Sequence, residues 1–219
     1  MNIASMHTEF RLLMDKADGG SSPSFLSTEI DIFLNAAIEK FVSKRAFGNN
    51  ARRTSLEEDQ KRRDDLRNLI SNHVVTTFTS NTSNKKNGVF VKLPTDYRHA
   101  IHEECTLKSN TKETVSVKPI THDRYNKIIK DPFNSPDNKT VLRLDFEKNV
   151  FEIISKDTLV AYYLRYLKNP STVSLTDAVS CDLATHTHRE IVRMAVVEAL
   201  ENISDPRYQS SKIELNEIE

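Results

Sequence analysis

The sequence predicts an α+β fold: a helical body of N-terminal helices and one C-terminal helix, with an inserted antiparallel β-rich section. Three patterns carry this. Apolar residues over 30–42 recur at helical spacing. Short β-branched and aromatic runs separated by polar turns follow one another over 89–167. A second helical pattern over 187–203 is apolar on most of its sides.

Taken in order, Thr8 is placed to cap a short helix over 9–17, with Phe10, Leu13 and Met14 as its apolar side. Gly19 and Gly20 end it, because glycine accepts the left-handed conformation that closes helices. The next helix is the clearest. Ile30, Phe33, Leu34, Ala37, Ile38, Phe41 and Val42 share one face; Ser27 or Thr28 starts it and Gly48 lies just past its end. Ser55 and Glu58 have the spacing of a capping box for a charged helix over 55–72. Glu57–Lys61, Glu58–Arg62 and Asp59–Arg63 support it as acid-first i,i+4 pairs.

Residues 79–88 read as a polar loop. Candidate strands are 89–93, 103–108, 114–119, 140–146, 149–154 and 158–167, with a short inserted helix at 121–130 and Pro132 and Pro136 punctuating the loop after it. Thr187 and Glu190 offer a capping box for the last helix, which must be packed on several sides. The divisions expected are a helical body at 1–78 and 180–205, a β-rich section at 79–170, and an extended C-terminal arm at 206–219.

Composition excludes several functions. Apolar residues make up 37% of 219, and four glycines lift this to about 39%, below the ~45–50% of typical domains. A lean core fits arms and polar loops. Net charge is zero, with 31 positive and 31 negative side chains, which argues against a protein that coats DNA through bulk charge. The four glycines form no GxGxxG, Walker loop or GxSxG elbow. Two cysteines make no disulfide framework and suit a reducing cytosol. The start of the chain lacks the pattern of a signal peptide, and no apolar run is long enough to span a membrane.

The remaining candidates have bland readings beside the sharp ones. His99, His102 and Cys105, and again Cys181, His186 and His188, cluster loosely, without the tight spacing of a zinc site. Glu103–Glu104 and Asp64–Asp65 are adjacent, so their side chains diverge and do not make an acid/base pair. Arg52, Arg53, Lys61, Arg62 and Arg63 form a basic cluster interleaved with acids; it reads as a salt-bridged face, with contact to DNA in a channel as the alternative. Ile213, Leu215 and Ile218 in the tail are costly to leave in water and are candidate partner-binding residues on a neighbouring chain. The paired helices over 28–72 are joined by too long a connection for a tight helix-turn-helix.

Several blocks together resemble a known family: R-L-L-M-D-K-A-D-G-G-S-S, E-I-D-I-F-L-N-A-A-I-E-K-F-V, D-Q-K-R-R-D-D-L-R-N-L-I, F-V-K-L-P-T-D-Y, V-K-P-I-T-H-D-R-Y-N-K-I-I-K-D-P-F, Y-Y-L-R-Y-L-K-N-P and C-D-L-A-T-H-T-H-R-E-I-V-R-M-A-V-V-E-A-L-E-N-I. Their order, over about 8–209, resembles the neck or ring structural proteins of crAss-like tailed bacteriophages. More distantly it is similar to the tail tubular protein A type adaptors. The resemblance implies a non-enzymatic head-to-tail connector, or portal adaptor, in the virion neck. It implies a closed ring of about twelve copies, with a portal protein above, tail or further ring proteins below, and packaged double-stranded DNA passing through. No cofactor is expected. A Cys/His metal-binding or DNA-binding module is the competing expectation.

Overall fold

The computed structural model describes residues 1–15, 25–47, 59–79, 85 and 87–217. Gly19, Gly20, Gly48, Arg52, Arg53, Ser55, Glu58 and Ile218 lie outside them. The chain divides into two compact units, one of Met1–Leu69 with Pro170–Glu219 and one of Ile70–Asn169.

In the first unit, helix α1 spans Ile3–Asp15 and buries Ile3, Met6, Phe10 and Met14. It begins earlier than Thr8. Asn2 Oδ1 accepts from Ser5 N at 2.8 Å, while the Thr8 hydroxyl donates back to Ala4 O at 2.9 Å from inside the helix. Helix α2, Ser27–Ala46, buries Ile30, Leu34, Ala37, Ile38, Phe41 and Val42 as its periodicity predicts. Phe33 completes an aromatic cluster with Phe10 and Phe25. Helix α3 is short, Gln60–Leu66, and Asp59 caps it by accepting from Lys61 N at 3.0 Å.

Helix α5, His188–Asn202, is contacted by α1, by α2 and by the last helix, α6. Those three neighbours account for its apolar circumference. The capping box expected at its start does not form. Thr187 has helical backbone angles and its hydroxyl donates to Ala184 O at 2.8 Å, while Glu190 is drawn to Arg45. Within the stretch 206–219, expected as an extended arm, Tyr208–Glu217 form helix α6. Asp205 Oδ1 accepts from Arg207 N at 2.8 Å, and Lys212 donates to the Tyr208 hydroxyl one turn earlier at 2.9 Å. A capping carboxylate and an i,i+4 pair thus favour helix over the strand-like alternation of Ile213 and Leu215.

The second unit overturns the expectation of a helical bundle with an antiparallel insertion. It is one curled, mixed seven-stranded sheet that dominates the fold, in the order β1-β7-β3-β4-β5-β6-β2. The strands are β1 Ile70–Val75, β2 Gly88–Lys92, β3 Tyr97–Leu107, β4 Asn110–Pro119, β5 Thr140–Glu147, β6 Val150–Ile154 and β7 Leu159–Lys168. β1 lies where the 55–72 helix was expected to end. A 3₁₀ turn, Arg67–Leu69, stops α3, and Ile70, Val74 and Val75 then pair with Leu167, Tyr163 and Tyr162. β-branched residues favour the strand.

β4 and β5 are parallel. A parallel pair needs a crossover, and helix α4, His122–Ile128, lies in that connection. Ile120, Tyr125, Ile128 and Ile129 cover Leu142, Leu144 and Ile154 on one face of the sheet. The opposite face holds the main core, with Val91, Cys105, Leu107, Val141, Ile153 and Tyr162 fully buried. Asn149 turns the β5–β6 hairpin at φ 61°, a left-handed position that asparagine tolerates.

Candidate functional site

Buried charge in the helical unit joins its elements. Arg45, 3% exposed, places Nε 3.0 Å from Asp65 Oδ2 and donates from Nη2 to both Glu190 oxygens at 2.9 and 3.0 Å. His186 Nε2 lies 2.8 Å from Asp65 Oδ1. One guanidinium thereby ties α2 to α3 and α5. Burial pushes the Glu190 carboxyl up, and Arg45 pulls it back. A second network pins the segment after β7. Asn35 Oδ1 accepts from Val173 N at 2.8 Å and its Nδ2 donates to Val173 O at 3.0 Å, while Asp31 accepts from Leu175 N and meets His7 at 2.7 Å.

The sheet unit has its own buried ion pair, Glu103 with Arg143. Tyr162 donates to the other Glu103 oxygen at 2.7 Å, and Arg143 lies 4.3 Å from the Phe151 ring centre. Burial raises the Glu103 carboxyl, with Arg143 opposing, and burial beside that carboxylate raises the Tyr162 phenol strongly. Both carboxylate oxygens are taken, so the group fastens strands together.

The Cys/His clusters resolve separately. His102 pairs with Glu104 at 3.0 Å on the open face of β3, whereas Cys105 is buried on the core side, its thiol pushed up to about 12 by burial. His186 is engaged by Asp65, and His188 Nε2 meets Leu183 O at 3.0 Å. Among the described residues no three metal-ligating side chains converge.

Of the basic cluster, Lys61 and Arg63 are exposed. Arg62 is 4% exposed, and its guanidinium donates to Lys44 O at 3.4 Å, so it belongs to the interior. In the tail, Ile213 is 61% exposed and Leu215 half-buried on α6.

A surface feature outside these candidates is more distinctive. Phe133 is 94% exposed, at the tip of the loop between α4 and β5. That loop is built around two aspartates. Asp131 accepts from Phe133 N at 3.0 Å and from Asn134 Nδ2 at 2.6 Å; Asp137 accepts from Lys139 N and Thr140 N at 2.8 and 2.7 Å. These bonds hold both carboxyls below the usual range. Lys118 Nζ donates to Asn134 Oδ1 at 3.2 Å. Beside the loop lies a cleft of about 700 Å³ lined by Lys118, Arg124 and Lys127 and by Asp123 and Asp145. D-P-F-N-S-P-D carried a signal for it: two aspartates, each ahead of backbone N–H groups, framing an aromatic.

The units also differ in charge. Ile70–Asn169 carries 16 Lys and Arg against 11 Asp and Glu, a formal +5; the rest carries 15 against 20, or −5. Zero net charge is a cancellation between opposites.

Comparison with known proteins gives two findings. Residues 1–212 match the family model described as phage tail ring protein 3/4. The chain is also similar to Ring protein 3 of Bacteroides phage crAss001, 29% identical over 164 residues, covering 67% of this chain and 71% of that protein.

Proposed function

The chain belongs to the crAss phage tail ring protein 3/4 family, and from that membership we propose that it forms a head-to-tail connector ring in the neck of the particle. It is a structural ring protein of a tailed phage. In this proposal it serves as a portal adaptor: a closed ring of about twelve copies, below a portal protein and above tail or further ring proteins. The packaged genome passes through it without being gripped, and the ring is made in the host bacterial cytoplasm before joining the virion.

The observation that carries this reading is the family match over residues 1–212. The physics agrees with it. A closed ring uses heterologous contacts, in which two different faces of one subunit meet. A chain made of one basic and one acidic unit carries unlike surfaces of that kind. The buried ion pairs of both units tie elements together, which suits a part that bears load. Imaging of the neck in purified particles, with mass spectrometry of the same particles, tests the proposal. A ring of this chain between portal and tail is expected; its absence from purified particles would sink the reading.

A further inference from the structure

We propose that the cleft between α4 and the 131–139 loop, together with exposed Phe133 on that loop, receives the α6 segment of a second copy of this chain. The inference deepens the ring reading above and rests on it.

The cleft side is preorganised. Phe133 makes little use of its own unit, being 94% exposed. Its position is fixed by the bonds of Asp131 and Asp137, not by burial of the ring. An aromatic presented on an already ordered loop loses little freedom on binding, which is how interface anchors work. Lys118 braces the loop by donating to Asn134 Oδ1 at 3.2 Å, and Arg124 and Lys127 lie on the cleft wall. Three cations, Lys118, Arg124 and Lys127, line the cleft against two acids, Asp123 and Asp145, of which Asp145 lies 3.2 Å from Arg143 Nε. The surface therefore offers an apolar knob beside positive charge.

The complement on this chain is α6. Ile213, 61% exposed, is followed directly by exposed Glu214. The neighbouring cation, Lys212, is turned onto its own helix: its ammonium donates to the Tyr208 hydroxyl and lies 5.1 Å from that ring's centre. Ile213 with Glu214 thus presents an apolar group beside negative charge, on the unit whose formal charge is −5. Knob against apolar side chain and cation against carboxylate make a matched pair of unlike faces, which is what a heterologous contact requires.

The test uses the full chain with a benzophenone side chain replacing Phe133, irradiated at concentrations where wild type self-associates. Cross-links are expected to map to 208–217 of another copy. F133A and I213D should each raise the concentration for half-maximal association at least tenfold. K127E and E214K should weaken association singly and restore it in combination. Circular dichroism checks that the folds are intact, since both apolar positions are exposed. If wild type associates while F133A and I213D associate equally well, or if cross-links map elsewhere or to DNA, the docking proposal is overturned and the ring reading stands. If wild type does not associate at any concentration, alone or on a portal, both fall.

Discussion

Tyr162 shows how a single residue couples burial, charge and stability. Its hydroxyl donates to Glu103, and its ring is fully buried in the sheet core. Burial, more than the neighbouring carboxylate, raises the phenol far above its ordinary 10.0, and burial raises Tyr97 and Tyr166 as well. The consequence for stability has a definite sign. Below pH 10 the folded and unfolded chains both keep these protons, so the phenols add no slope. Above it the unfolded chain ionises first and binds fewer protons, so stability falls as pH rises. The sheet unit should lose stability progressively above about pH 10. Tyr162→Phe should flatten that loss while costing about 1.5–3 kcal/mol near neutrality, the worth of a hydrogen bond to a charged group. Denaturant titrations of both proteins across alkaline pH check this; parallel curves would refute it.

At the level of elements, side chains decide where irregular backbone goes. Asn35 is half-buried on α2 and satisfies both the N–H and the C=O of Val173, as a neighbouring strand would. Asn35→Ala leaves both groups without that partner, and should destabilise the helical unit by about 1–3 kcal/mol. Amide exchange at Val173 should rise more than in the interior of α5, and equal protection at both sites would count against the pin. This kind of contact was invisible in the sequence, because the two residues are 138 positions apart. What was legible is what periodicity records. The face of α2, the extent of α5 and the positions of β2 and β4 to β7 follow from local spacing. The misses needed tertiary partners. β1 exists because β7 pairs with it, β4 and β5 run parallel because the connection through α4 crosses over and covers β5 and β6, and α6 is helical although Ile213 and Leu215 alternate as in a strand. Among site residues, basic Arg62 is interior and aromatic Phe133 is exposed, the reverse of what residue type suggests.

For the whole molecule, a net charge of zero argues against coating DNA through bulk charge, and the partition into +5 and −5 adds a second consequence. A neutral chain of uniform surface would approach its copies without guidance. A chain with one basic and one acidic unit is steered into unlike contacts and away from like ones, because matched charge raises the rate of productive encounter. Such steering acts over distance and is screened: the Debye length is ~10 Å at 0.1 M salt and ~3 Å at 1 M. Self-association should therefore slow by roughly tenfold or more on passing from low to high ionic strength. Dissociation should change far less, because apolar groups such as Phe133 and Ile213, once buried, do not respond to screening. Stopped-flow light scattering at several salt concentrations separates the two rates. Association that is equally fast at all of them would mean that the opposite charges of the two units face other partners, such as the genome or another ring, and not neighbouring copies.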